Sequence, residues 1–186
     1  ELARLGQAKA RSEAELTELA EQAKRTLGEK QAGILAGQAR MLSDPAYFPQ
    51  IEKRIREERF AAEYAVRSVT EHFAGRFEAM DNEYMRERAA DIRDLGRRLL
   101  AHLRGEERTS LAGLREGGIV VADDLAPSDT VQLDRRYVQA LVTRMGGRTS
   151  HTSIIARSLG IAAVVGAGDA VRDIADGELL VVDGGE

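Results

Sequence analysis

The chain of 186 residues contains no cysteine. That absence excludes disulfides, thiolate metal sites and cysteine nucleophiles, and it is compatible with a reducing compartment. Long apolar runs are also missing. The longest, such as Ile161–Val165, fall far short of the ~20 residues that a membrane-crossing helix needs. Positive charge is not in excess: 27 Lys and Arg stand against 31 Asp and Glu, a net charge of −4. This balance argues against nucleic acid as a partner. The sequence opens Glu-Leu-Ala-Arg-Leu, with no initiator Met, hydrophobic leader or cleavage pattern. No targeting signal is read, and the chain is expected to be a piece of a longer polypeptide. Histidine is scarce, at three residues.

What is present is a foldable composition, 43 % apolar and 31 % charged, too apolar and too balanced for a disordered chain. It is unevenly distributed. Residues 1–108 are neutral and hold 7 of the 18 glycines; residues 109–186 carry the whole net charge and hold the other 11. Two architectures are therefore expected, meeting near Gly105–Ser110.

The first part reads as helix throughout. Leu5, Ala8, Ser12, Leu16, Leu19, Ala23 and Leu27 recur three and four apart, one apolar stripe of a helix over residues 2–27. A second helix is expected over 30–42, a short one opening at Pro49, and a longer one over 59–80. Asp81 is expected to cap a last helix ending near Arg104. In it Met85, Ala89, Ile92, Gly96, Leu99 and Leu103 form a near-heptad seam, the pattern of antiparallel helices in a bundle. The second part changes period. Short β-branched runs at 118–122, 138–143, 162–165 and 178–182 predict four strands separated by short helices, an α/β unit. Pro127 suits the first turn of a short helix. Residues 149–159 predict a helix that buries Ile154, Ile155 and Leu159 and stops at Gly160.

The chemistry concentrates at one histidine. His72 and His102 lie among charged neighbours on amphipathic helices and read as surface residues. His151 follows Gly146-Gly147-Arg148-Thr149-Ser150, between a predicted strand and a predicted helix. The two glycines permit a sharp turn and close approach to a ligand. The first turn of a helix offers unpaired N–H groups and a partial positive charge to a phosphate. Thr149 and Ser150 add hydroxyls, and Arg148 a guanidinium. A neutral imidazole can act as a nucleophile at cell pH. The plainer reading is an ordinary N-cap at Thr149 or Ser150 with an exposed His151 beside it, and the local pattern alone leaves that reading open. Asp123, Asp124, Asp129 and Asp134 stand at loop spacing and read as caps and turns, so no metal site is expected.

The string from Gly146 to Gly166, GGRTSHTSIIARSLGIAAVVG, resembles the phosphohistidine segment of the phosphoenolpyruvate-utilising phosphotransferases. A second string, Asp81–Leu100, DNEYMRERAADIRDLGRRLL, resembles a helix of one branch, enzyme I of the bacterial phosphoenolpyruvate:sugar phosphotransferase system. A third, Val121–Leu133, VADDLAPSDTVQL, resembles a strand and loop of that branch. The resemblance runs along essentially the whole chain. It implies a helical-bundle subdomain over residues 1–108, followed by a small α/β swivelling phosphohistidine subdomain over 109–186. His151 would accept the phosphoryl group on Nε2, with Gly147, Arg148, Thr149 and Ser150 around the phosphate. Thr130 matches a threonine whose hydroxyl contacts the active imidazole. Arg88 matches an arginine on the last helix that faces the docked partner.

That partner, in the resemblance, is the histidine-containing phosphocarrier HPr, held by the helical part. By position Ile34, Leu35, Gln38, Met41 and Leu42 would lie on or near the docking surface, with Leu35 and Leu42 forming an apolar stripe. Their alternative role is to fill the bundle core. The acidic residues common around this surface in the family are thinned here to Glu29 and Asp44, which leaves room for a specialised carrier. The family's amino-terminal strand and its carboxy-terminal barrel, which binds phosphoenolpyruvate and Mg²⁺, are expected to be absent from this chain. No cofactor is therefore expected within it, no membrane insertion, and a cytoplasmic location. Two alternatives remain: the swivelling domain of a pyruvate phosphate dikinase or phosphoenolpyruvate synthase, and a carrier-binding module without turnover.

Overall fold

The structure, a computed structural model, describes residues 1–106, 117–147 and 150–185, apart from the side chains of residues 83, 84, 87 and 151. The chain divides into two compact units, residues 1–108 and 109–186.

The first unit is helical: α1 (Leu2–Thr26), α2 (Glu29–Met41), α3 (Phe48–Glu57), α4 (Ala62–Glu78) and α5 (Glu83–Arg104). The 3.6-residue period explains α1, whose buried face is Leu5, Ala8, Ser12, Leu16, Leu19 and Ala23. Pro49 lies in the first turn of α3, where its missing N–H costs no helical bond. α5 packs against α1, α2 and α4, so its seam residues Ala89, Ile92, Leu99 and Leu103 are joined in the core by Leu95. The cap of α5 is Asn82, not Asp81. Its Oδ1 accepts the Met85 N–H at 3.3 Å, three residues on, the reach an N-cap side chain has.

α5 also buries two charges, Asp94 and Arg98. Arg98 ion-pairs with Glu15 of α1, and the other Glu15 oxygen lies 3.0 Å from His102 Nε2. Gln38 of α2 donates to Asp94 Oδ2 at 3.3 Å and to the Asp91 carbonyl at 3.4 Å. Side-chain pairing thus ties α1 and α2 to the central helix. These positions correct the expected docking stripe. Leu35 and Leu42 are 0 % exposed and Gln38 is 2 % exposed. They occupy the face of α2 turned to the bundle, because 35, 38 and 42 share one side of a 3.6-residue helix. Ile34 and Met41, on the flank of that face, stay half-exposed.

The second unit is a parallel sheet in the order β1-β2-β3, with β1 (Gly118–Ala122), β2 (Val138–Thr143) and β3 (Ala162–Val165). Between them run α6 (Pro127–Thr130) and α7 (His151–Leu159), and a 3₁₀ segment (Gly168–Asp173) follows β3. The expected fourth strand over 178–182 does not form. That stretch alternates in exposure, with Leu179 at 96 % and Val181 at 97 %, but makes no ladder. A cleft of about 700 Å³, lined by β1 and residues 171–180, separates it from that strand. A β-branched alternating run becomes a strand only when a neighbouring edge accepts its N–H and C=O groups. In α7 the buried residues are Thr152, Ile155 and Ala156, spaced three and four apart. Ile154, expected inside, projects outward at 41 % exposure because it falls on the opposite side of the helical wheel from those positions.

Candidate functional site

Because all three strands are parallel, their carboxy-terminal ends share one edge of the sheet, where ligands bind in open α/β sheets. Three connections leave that edge: residues 123–126 into α6, residues 144–147 on the way to α7, and residues 166–167 into the 3₁₀ segment. Backbone bonds strap them together. Arg144 N donates to Ala122 O at 3.0 Å and Met145 N to Asp123 O at 2.9 Å. Gly166 N donates to Met145 O at 3.2 Å, Ala167 N to Thr143 O at 3.0 Å, and Gly168 N to Arg144 O at 3.1 Å. The Thr143 hydroxyl adds a bond to Met145 O at 2.7 Å. The Arg144 guanidinium pairs with Asp123 and holds its carboxyl below the usual range.

Glycine is required at two points of this strap. Gly146 has φ +104° and Gly166 has φ +72°, left-handed values that disfavour a side chain. A Cβ on Gly166 would also stand 2.8 Å from the Gly146 carbonyl oxygen. The Gly-Gly turn legible in the sequence is therefore a rigid backbone platform at the strand ends.

The platform delivers the chain to His151, the first residue of α7. Ser150 is the N-cap, with extended backbone, and its Oγ accepts the Ser153 N–H at 3.3 Å. By helix geometry the amides of His151 and Thr152 have no intrahelical acceptor, so the positive end of α7 opens at this edge. The imidazole of His151, together with Arg148 and Thr149, lies outside the described residues. Gly147 takes the role of an anchor: its carbonyl accepts Ser150 N at 2.9 Å and the Ser153 hydroxyl at 2.7 Å. Ser150 caps α7 through an oxygen lone pair, and its hydroxyl keeps its own proton to donate.

Thr130 closes α6 and is fully buried. Its hydroxyl donates to Pro127 O at 2.8 Å, leaving the oxygen free only to accept. α6 packs against α7. The Thr152 hydroxyl, one residue past His151, reaches Leu125 O at 3.5 Å, the outer limit of such a bond. The first turn of α7 therefore lies beside the segment that leads into α6. On the helical unit, Arg88 of α5 pairs with Asp91 at 3.0 Å, one turn from the carbonyl that Gln38 binds. Gln38 thus serves as a tether between α2 and this part of α5, with Ile34 and Met41 on the flank. Ser153 was not legible as a site residue; the signal that could have found it is its spacing of three from the N-cap.

Among the described residues, no three His, Asp or Glu side chains converge as a metal site would require. No helix among the described residues is long and apolar enough to cross a membrane.

Comparison with known proteins bears on the same regions. Residues 1–88 match the family model described as PEP-utilising enzyme, N-terminal, and residues 114–186 the one described as PEP-utilising enzyme, mobile domain. The phosphoenolpyruvate-protein phosphotransferase of Geobacillus stearothermophilus is 46 % identical over 184 residues, covering 99 % of this chain and 32 % of the relative. That of Enterococcus faecalis is 47 % identical over 185 residues, with the same coverage of each. The chain thus spans about a third of the length of these relatives. An NMR solution structure of an Enzyme I protein superposes with a TM-score of 0.82 at 38 % identity, over 99 % of this chain and 74 % of that one. The N-terminal domain of a nitrogen Enzyme 1 gives a TM-score of 0.63 at 30 % identity, over 88 % and 66 %.

Proposed function

The chain belongs to the Enzyme I family of phosphoenolpyruvate-utilising proteins, and from that premise we propose that it is the phosphohistidine and carrier-docking portion of a phosphoenolpyruvate-protein phosphotransferase. The bare Nε2 of neutral His151 attacks phosphorus, an N–P bond forms, and the P–O bond to enolpyruvate breaks. Enolpyruvate takes up a proton on carbon and leaves as pyruvate. In the second half, a histidine of HPr or an HPr-like carrier attacks the same phosphorus and His151 recovers its lone pair. Phosphoryl transfer asks little covalent help from the protein: alignment and charge stabilisation dominate.

The observation that carries this reading is the position of His151 as the first residue of α7, delivered there by the strapped glycine turn. The amides of that turn are fixed before the phosphoryl group arrives, which is what makes such donors effective. Gly147, Arg148 and Thr149 complete the surroundings of the phosphate, and Ser150 acts through the cap. Thr130, able only to accept, would take an N–H of the ring and so favour one tautomer. Ile34 and Met41, half-exposed on α2, and Arg88 on α5 supply carrier contacts. Phosphoenolpyruvate and Mg²⁺ are assigned to the carboxy-terminal domain of the parent protein, and the location to the cytoplasm, in service of sugar transport. The helical unit favours this branch over a dikinase swivelling domain. The test is incubation with phosphorylated HPr, followed by mass spectrometry. One phosphoryl group is expected on the wild type and none on His151→Ala. A label that persists in the alanine variant would contradict the reading.

A further inference from the structure

We infer that Ser153 is a positioning residue for phosphoryl transfer at His151, an assignment that rests on the reading above. The argument is proton accounting. A hydroxyl has one proton to give and lone pairs to receive. The Ser153 hydroxyl gives its proton to the Gly147 carbonyl at 2.7 Å. The Ser150 and Ser153 oxygens lie 3.1 Å apart, so the proton between them comes from Ser150. Ser150 Oγ in turn accepts the Ser153 amide at 3.3 Å. The relay has one direction: Ser150 hydroxyl to Ser153 hydroxyl to Gly147 carbonyl.

This differs from the usual capping box. There a Glu or Gln three residues past the cap reaches back to the cap's own N–H. Here that N–H, of Ser150, already donates to Gly147 O at 2.9 Å. The serine at the third position instead grips the same carbonyl. Gly147 and Ser150, the two ends of the segment that precedes His151, are both fastened to the first turn of α7 by Ser153. Two consequences follow. The backbone of His151 is held at a fixed place relative to the glycine turn. The Ser150 proton is also directed toward Ser153 and away from the open helix end, so the phosphoryl group meets backbone amides there and not a rotating hydroxyl.

The test compares Ser153→Thr with Ser153→Val, which differ by a hydroxyl in place of a methyl at nearly equal volume. Transfer from phosphorylated HPr to the 186-residue chain is timed by rapid quench, and the ring resonances of His151 are titrated by NMR. Loss of one neutral hydrogen bond that acts in the reaction is expected to slow Ser153→Val roughly three- to tenfold and to move the His151 titration midpoint. Ser153→Thr is expected to restore both. Equal rates and midpoints in the wild type and both variants would overturn the assignment, and so would equal impairment of both variants. Failure of the underlying reading shows differently: His151→Ala would then still take up the label, whatever Ser153 does.

Discussion

At the scale of single residues, the account separates side chains that hold the fold from those that meet a partner. Leu35 and Met41 are both apolar and lie six residues apart on α2, yet Leu35 is wholly buried while Met41 is half-exposed. Leu35→Ala removes packed methyl groups from the bundle and is expected to lower stability by about 2–5 kcal/mol, read by chemical denaturation. Met41→Ala is expected to change stability by less than about 1 kcal/mol while weakening HPr binding in a calorimetric titration. The opposite pattern would return Leu35 to the docking surface. The sequence alone could not separate these two residues. An apolar residue on an amphipathic helix reads the same whether its face meets the chain's own core or another protein. His151 was legible for a different reason: the glycine turn and hydroxyl cap alone left an ordinary N-cap open, and the longer string from Gly146 to Gly166, by its resemblance to a phosphohistidine segment, singled the residue out. Ser153 was hidden because a serine in a first helical turn is ordinary until its proton is traced.

At the scale of elements, periodicity carried most of the information. The stripe of α1 and the seam of α5 follow from apolar spacing because a buried helix face must repeat every 3.6 residues. The run at 178–182 shows where that logic stops. Its alternation is real, but pairing is a property of two segments, and the sequence of one cannot supply the other. The crossing of α4 and α5 depends on a detail that spacing does show: Gly96 lies in the seam. A Cβ there would stand 2.5 Å from Thr70 Cγ2 and 2.6 Å from Thr70 Oγ1. Thr70 is itself fixed by a 2.9 Å bond to the buried Tyr47 hydroxyl. Gly96→Ala is therefore expected to cost about 1–3 kcal/mol by overpacking, despite the better helix propensity of alanine. Thr70→Ala should recover part of that loss in the double variant, since the two sites touch. Simple addition of the two single losses in thermal melts would contradict this close crossing.

For the molecule as a whole, the polar network inside the helical unit sets how it responds to acid. Asp94 and Arg98, four apart on α5, are both buried, and Arg98 pairs with Glu15. Burial alone would raise the Glu15 carboxyl; hydrogen bonds from Arg98 and then His102 outweigh it and hold the carboxyl below the ordinary carboxylate value. A carboxyl depressed in the folded state stabilises the fold fully above its unfolded value, about 4.3, and ceases to do so as pH falls through the folded value. The wild type is thus expected to lose this contribution below about pH 4. Glu15→Gln should flatten that part of the stability–pH curve and leave the Arg98 charge without its partner, at a cost of about 3–5 kcal/mol near neutrality. An unchanged acid limb in that variant would remove Glu15 from the network.

The central claim concerns which atom carries the phosphoryl group, and nitrogen NMR of the loaded chain addresses it most directly. After exchange with phosphorylated HPr, the ring nitrogens of all three histidines can be assigned in the ¹⁵N-labelled protein. The expected result is one new phosphorus coupling, to Nε2 of His151, which vanishes on acid treatment, with His72 and His102 unchanged. A coupling to Nδ1, to either of the other histidines, or a phosphate that survives acid on a hydroxyl side chain would contradict it.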